Sequence, residues 1–289
     1  MDLAFYVILG VLLGLIIGCI VSITGASGAM LMVPVFYLVF GLPVHSAIGT
    51  SLMVLVITGS VVSLSYFKKG NVDLKTGKWF IAGALVGSQI GVLLAQGLPE
   101  RALGSSFGGM ITLLGIVMLL RKPKSQETSK EKDTTDKQSS REPIHFKYEW
   151  QRILVALLLG IGIGIMSGTF GAGGGLMILA VFVVVLALPL HKAIGTSTLV
   201  MAIISCSSAL GYAFYGDINV ILGLIVGIGS ITGGIAGSYF ANKIDESSLK
   251  KVMGLFFIGL GILMTFTTYY KISNPQELTS KFLCIASVL

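Results

Sequence analysis

Two stretches of the chain carry nearly the same ten residues. Leu42–Ser51 reads LPVHSAIGTS and Leu188–Ser197 reads LPLHKAIGTS, with eight of ten positions identical. The offset of 146 residues continues without a gap from about residue 14 to residue 119, so that Gly14 corresponds to Gly160. Self-similarity at a fixed offset is typical of an internal repeat. The sequence therefore predicts two copies of one unit.

The composition is that of a membrane protein. The 289 residues are 54% hydrophobic and 11% charged, and the mean hydropathy is +0.91. So little charge cannot cover a soluble protein of this size. We predict an all-α polytopic membrane protein with eight to ten transmembrane or re-entrant helices, three of them (28–42, 153–169 and 174–190) short for a full crossing of about 30 Å. The apolar runs lie at about 3–24, 28–42, 46–66, 77–97, 102–120, 153–169, 174–190, 193–214, 219–241 and 251–270.

A polar, low-complexity stretch separates the two copies. Residues 121–150 include KPKSQETSKEKDTTDKQSSREP, which has too little apolar surface to fold alone. The predicted organisation is a first repeat at 1–120, a linker at 121–150, a second repeat at 151–270 and a tail at 271–289. No basic region precedes the first apolar run at 3–24. We therefore expect this run to be a retained helix and not a removed signal peptide.

The placement of Lys and Arg predicts that the two repeats are inverted. Basic loops stay on the cytoplasmic side of a membrane, which places the linker inside and the protein in the cell membrane. The loop with Lys68, Lys69, Lys75 and Lys78 is basic, whereas its counterpart at 214–219 carries no Lys or Arg. One loop later the order is reversed. The loop at 97–102 has one basic residue, Arg101, whereas its counterpart has three, Lys243, Lys250 and Lys251. Such a swap requires an odd number of crossings per copy and is typical of secondary transporters.

Glycines recur four residues apart within the apolar runs. This spacing lets two helices approach closely in lipid, and we interpret these positions as packing contacts. The clearest sets are Gly83, Gly87 and Gly91, and Gly229, Gly233 and Gly237.

Both copies interrupt their apolar pattern with glycine at the same place, reading TGASGA at 24–29 and FGAGGG at 170–175. Unwound backbone at membrane depth must be buried in protein or line a polar cavity, and a helix that restarts there presents N–H groups and a positive dipole end to an anion. We predict paired backbone nests for one anion, whereas the alternative is a close-packed helix crossing. The predicted binding residues at these breaks are Gly25, Ala26, Ser27, Gly28, Gly171, Gly173, Gly174 and Gly175.

Hydroxyl groups follow each break, at Thr50-Ser51 and at Thr196-Ser197. They could donate to the same anion, or they could bond the carbonyls of their own helices. His45 and His191 occupy equivalent positions and could couple transport to protons; the alternative is that each caps a helix or bonds a loop carbonyl.

The interiors of the apolar runs contain no Asp, Glu, Lys or Arg, which argues against a carboxylate-based cation exchanger. The three cysteines have no paired spacing, and we expect neither a metal site nor a cofactor. The net charge of +7 comes mostly from loop lysines and gives no reason to expect nucleic acid binding. The expected partners are a small anion and membrane lipid, and the sequence leaves the oligomeric state open.

The doubled glycine-rich break and the doubled Pro-x-His-x-Ala-Ile-Gly-Thr-Ser stretch resemble the sulfite exporter TauE/SafE family of membrane permeases. The resemblance covers nearly the whole chain except the linker and the tail. It implies a permease, not an enzyme, for a sulfur-containing anion such as sulfite, a sulfonate or thiosulfate. It does not fix the substrate or the direction of transport.

One alternative belongs to another class of protein. Gly25-Ala26-Ser27-Gly28 matches the G-x-S-G signature of rhomboid-like intramembrane serine proteases, with His45 or His191 as the nominal base. The second copy has Gly173 where Ser27 stands, and a four-residue pattern is weak evidence in a glycine-rich chain.

Overall fold

The computed structural model describes residues 3–24, 29–68, 74–120, 149–171, 173–182, 190–240 and 246–273. These residues form ten α-helices, and they contain no strand. The all-α prediction is confirmed. In chain order the helices are α1 (Leu3–Thr24), α2 (Ala29–Leu38), α3 (Val44–Lys68), α4 (Leu74–Gly97), α5 (Glu100–Leu120), α6 (Glu149–Phe170), α7 (Gly175–Ala180), α8 (Leu190–Phe214), α9 (Val220–Phe240) and α10 (Glu246–Ser273).

The repeat in the sequence has a counterpart in the order of the helices. Each helix from α6 to α10 begins 146 residues after its counterpart from α1 to α5. The correspondence includes the second helix of each copy, α2 and α7. Each copy is therefore a five-helix unit of the same plan.

Helix α6 is longer than the sequence indicated. The apolar run at 153–169 is short for a crossing, but the helix has 22 residues, or about 33 Å at 1.5 Å per residue. The helix begins at Glu149, before the apolar run, because residues outside the hydrocarbon can be helical without being apolar. Helix α2, with 10 residues and Pro34 inside it, is too short to cross the hydrocarbon alone.

Four of the described helices are long and apolar enough to cross a membrane. Shorter apolar stretches lie at Tyr6–Cys19 of α1, Val220–Ala236 of α9 and Leu255–Tyr270 of α10. Large apolar side chains remain exposed along these helices, as lipid contact requires. The four candidate spans are Val44–Val61, Gly77–Gly97, Ile153–Phe170 and Gly195–Phe214.

Two parallel helix pairs join the copies crosswise: α1 packs on α9, and α4 packs on α6. In both pairs a Cβ atom added to the glycines would overlap backbone atoms of the facing helix, so no other residue fits at this helix separation. The packing interpretation is confirmed for five of the six glycines. The surroundings of the sixth, Gly237, are not described. The contacts are Gly83 with Leu157, Gly87 with Ile161, Gly91 with Ile165, Gly229 with Val11 and Gly233 with Leu15.

Corresponding helices also pack on each other, and they run antiparallel. In the α3–α8 pair, Gly49 contacts Tyr212 and Gly59 contacts Ala202, so residue numbers rise in one helix as they fall in the other. The α5–α10 pair behaves in the same way, with Gly104 against Thr268 and Gly108 against Thr265 and Gly261.

One end of the bundle is defined by three contacts. The Gln96 amide donates to Asp217 Oδ2 at 2.7 Å, which joins the end of α4 to the α8–α9 loop. Ser46 at the start of α3 donates to Asp217 Oδ1 at 3.3 Å. The Arg101 guanidinium lies 4.5 Å from the centre of the Tyr269 ring, near the end of α10. The two loops that the sequence places outside, 97–102 and 214–219, therefore lie at the same end.

Candidate functional site

The glycine-rich break of the second copy is built from left-handed backbone. Helix α6 ends at Phe170, and Gly171, Gly173 and Gly174 have φ angles of +62°, +65° and +62°. Glycine adopts this conformation readily, whereas a β-branched residue there is a genuine outlier. All three glycines are buried. The predicted interruption of the helix is present, and α7 restarts at Gly175.

This break lies against the first copy. A Cβ atom on Gly171 would lie 2.8 Å from Ile48 Cγ2 and 3.3 Å from Ser51 Oγ, both on α3. On the other side of the turn, a Cβ atom on Gly174 would lie 2.8 Å from Ile163 Cγ2 of α6. The structure thus brings Gly171 and Ser51 together, one from each copy. The corresponding break at Gly25–Gly28 lies outside the described residues, as does Ala172.

The hydroxyls of Thr50 and Ser51 are fully buried, at 0% exposure, and already have partners. Ser51 Oγ donates to the carbonyl of Ile48 at 2.7 Å, which matches the alternative that this hydroxyl satisfies its own helix. Thr50 Oγ1 accepts the backbone N–H of Asn219 at 3.0 Å, which ties α3 to the start of α9.

Thr196 and Ser197 lie at a different level of the bundle. Thr196 Oγ1 donates to the carbonyl of Lys192 at 2.6 Å, and Gly77 at the start of α4 is its neighbour. Thr196 precedes Tyr212 by more than four helical turns, about 24 Å along α8, and Tyr212 contacts Gly49, next to Thr50. In this conformation the structure does not bring Thr196 to Thr50. The anion-binding roles of all four residues stay predictions.

His45 is half-buried at the start of α3, and its Nε2 lies 3.0 Å from the carbonyl of Ala95. Donation to this carbonyl fits the interpretation that the histidine bonds backbone near a helix end. Proton coupling stays a prediction. The side chain of His191 lies outside the described residues.

Sequence reasoning missed several neutral polar contacts inside the bundle. Ser88 Oγ donates to Ser207 Oγ at 2.9 Å, and the Gln89 amide donates to the carbonyl of Ser207 at 2.7 Å, which joins α4 to α8. The corresponding pair, α3 and α9, is joined by Thr58 and Ser230 at 2.8 Å. Ser and Gln inside apolar runs carry no spacing signal, so only the packing identifies them.

The fully buried Tyr212 connects α8 to the break. Its hydroxyl donates to the carbonyl of Gly168 at 3.0 Å, two residues before α6 ends. Three other buried hydroxyls near this region, on Ser167, Ser205 and Ser208, have no hydrogen-bond partner among the described residues. The described residues also contain no cluster of three or more His, Cys, Asp or Glu side chains that could hold a metal ion.

A comparison with known protein families identifies the chain. The family model described as "Sulfite exporter TauE/SafE" matches residues 10–264. The chain belongs to the TauE/SafE family. The predicted resemblance is therefore confirmed, and the family model covers most of both five-helix units and the linker between them.

Relatives of similar length carry transporter names. The probable membrane transporter protein YdhB of Bacillus subtilis is 29% identical over 89% of this chain and 99% of its own. YunE of the same organism is 27% identical over 87% of this chain and 94% of its own, and MJ0441 of Methanocaldococcus jannaschii is 26% identical over 86% and 94%. No solved structure matches the chain significantly.

Membership in TauE/SafE makes this chain a multi-pass membrane permease. A transporter family favours transport over the protease alternative. Ser27, the nucleophile of that alternative, lies outside the described residues.

Proposed function

We propose that this protein is a secondary transporter that moves a small sulfur-containing anion, such as sulfite, a sulfonate or thiosulfate, across the cell membrane. The observation that carries the proposal is the buried glycine turn, in which Gly171, Gly173 and Gly174 are left-handed and Gly171 lies against Ser51 of the first copy. The Gly171 N–H already bonds the Ser167 carbonyl, so the donors that we propose are the N–H groups of the turn that follow it, which can hold an anion without a fixed positive charge. The family description names sulfite, which supports this class of substrate.

The backbone of the turn is the proposed anion-binding element, because successive N–H groups in left-handed turns form concave sites for anions. At the offset of 146 residues Gly25 corresponds to Gly171 and Ser197 to Ser51, so we propose that both breaks contribute to the anion site.

Alternating access follows from the way that the copies pack. The antiparallel pairs α3–α8 and α5–α10 support an inverted repeat, since corresponding helices run in opposite directions. Inverted copies can exchange conformations, which opens the substrate site first to one side of the membrane and then to the other. The basic linker supports a cytoplasmic position for residues 121–150.

The first test is anion-dependent thermal stabilisation of the detergent-purified protein with sulfite, thiosulfate, taurine, sulfate, phosphate and chloride. A ligand that binds only the folded state stabilises it by about 2.7 kcal/mol at a concentration of 100 Kd. We expect a rise in Tm with at least one sulfur-containing anion and none with chloride, followed by flux of that anion in liposomes. No rise with any of the six anions would contradict the proposal.

A second test concerns the topology. Cysteines placed at the exposed positions Leu98 and Tyr215 should react with a membrane-impermeant maleimide in intact cells, and a cysteine at Lys78 should react only after permeabilisation. The background is the protein with its native cysteines replaced by alanine. Equal labelling at Tyr215 and Lys78 in intact cells would contradict the inverted arrangement.

A further inference from the structure

Hydroxyl groups inside this bundle almost always have a partner. A buried Ser or Thr in a helix usually donates to a carbonyl three or four residues earlier, because the hydrocarbon offers no water. Examples among the described residues are Ser51, Thr58, Ser63, Thr112 and Ser230.

Three serines depart from this rule. The hydroxyls of Ser167, Ser205 and Ser208 are fully buried, at 0% exposure, and have no hydrogen-bond partner among the described residues. A buried hydroxyl without a partner destabilises the folded state, since the hydration that it loses is not replaced. The three serines lie on α6 and α8, the two helices that the hydrogen bond from Tyr212 to Gly168 joins.

Ser208 and Ser205 lie on the face of α8 that approaches the glycine break. Ser208 is one turn before Tyr212, whose hydroxyl reaches the carbonyl of Gly168 at the end of α6. Ser208 also lies one turn after Ile204, which packs in the apolar cluster with Ile163 and Ile178 of α6 and α7. Ser205 precedes Ser208 by three residues and so shares this side of the helix.

Ser167 approaches the same break from α6. It lies one turn before Gly171, whose N–H donates to the Ser167 carbonyl at 2.8 Å. It also lies one turn after Ile163, which contacts Gly174. The Ser167 side chain therefore lies on the face of α6 against which the glycine turn packs.

The first copy has no equivalent of these hydroxyls. At the offset of 146 residues, the positions of Ser167, Ser205 and Ser208 are occupied by Val21, Gly59 and Val62. If the five-helix fold required a hydroxyl at these positions, both copies would carry it. The three serines therefore serve something that only the second copy does.

We propose that Ser167, Ser205 and Ser208 donate hydrogen bonds to the oxygen atoms of the transported anion, in a subsite beside the Gly171–Gly174 turn that exists only in the second copy. This inference rests on the proposed function and adds residues that touch the substrate. Neutral donors hold the anion without the strong attraction of a fixed cation, which lets it leave again.

The test uses the variants Ser167→Ala and Ser208→Ala, titrated with sulfite in the thermal-shift assay. Each should bind sulfite about tenfold more weakly, as expected for losing a hydrogen bond to a charged group. Without sulfite, each should have a Tm equal to or above that of the wild type, because a partnerless buried hydroxyl is removed. The matched control is Ser63→Ala, a buried serine whose hydroxyl donates to the carbonyl of Ser60; its affinity for sulfite should not change.

The outcomes separate this inference from the proposed function. If the wild type binds sulfite and both variants bind it as tightly as Ser63→Ala does, the serine subsite is wrong and the transport proposal stands. A lower Tm without sulfite together with unchanged affinity would assign the serines a structural role and overturn the inference. If the wild type binds none of the six anions, the transport proposal fails and the subsite fails with it.

Discussion

Replacing Gly164 with leucine is expected to prevent the α4–α6 pair from forming. A Cβ atom at this position would overlap the carbonyl oxygen of Ala84 and would lie 2.9 Å from both Ala84 Cα and Ser88 N. These are backbone atoms, so relief requires the two helices to separate along their whole contact. Overpacking usually costs about 1–3 kcal/mol, and backbone clashes place this variant at about 3 kcal/mol or more. Size-exclusion chromatography in detergent should show aggregate, and the cooperative thermal transition should be lost.

The matched control lies two residues away on the same helix. Gly162 is exposed, and a Cβ atom there meets nothing within 4 Å. Gly162→Leu should therefore remain monodisperse with a Tm close to that of the wild type. A folded Gly164→Leu protein with the wild-type Tm would contradict the close packing of α4 on α6.

Gly174→Val is expected to abolish anion flux in liposomes while the protein still inserts and folds. Valine is a poor residue at φ +62°, and its side chain would meet Ile163 Cγ2, which a Cβ atom alone approaches to 2.8 Å. The clash is with a side-chain methyl group and not with backbone, so we expect a small local shift to relieve it. The glycine turn cannot then keep its shape, and the N–H groups proposed to hold the anion move.

The control for backbone strain is Gly216→Val. Gly216 has a φ of +76°, but a Cβ atom there meets nothing within 4 Å, and the residue lies in the exposed α8–α9 loop. Both variants place valine in left-handed backbone, which disfavours each by about 1–2 kcal/mol. Only Gly174→Val should lose flux. Full flux in a folded Gly174→Val protein would contradict an anion site at the turn.

The sequence predicts much of this fold because the two copies of the repeat can be compared with each other. An offset of 146 residues, read from two ten-residue stretches, relates the starts of all five pairs of helices. The glycines four residues apart were predicted to pack closely, and Gly83 and Gly87 do so. Which helix each glycine faces was not predictable, because a periodic pattern identifies a face and not its partner. The full length of α6 was also missed, since its first turn is polar.

The candidate site was predicted less completely. The glycine turn was found because glycine density at membrane depth has few structural explanations. Thr50 accepts the backbone N–H of a loop residue, Asn219, and Thr196 donates to a carbonyl of its own helix. Neither partner is predictable from the sequence, because side-chain packing decides which group each hydroxyl bonds. Ser167 and Ser208 carry no sequence signal at all, because serine in a membrane helix normally bonds its own carbonyl. Only their lack of a partner among the described residues distinguishes them.

The crosswise pairing of α1 with α9 and of α4 with α6 bears on how the protein is made. Helix α1 leaves the ribosome early, and its partner ends at Phe240, so roughly 10 to 40 s of synthesis separate them at about 5–20 residues per second. During that interval lipid must occupy the face of α1 that α9 later covers. Each helix must therefore be stable in the bilayer before it packs, and closure of the α1–α9 contact is one of the last steps in maturation.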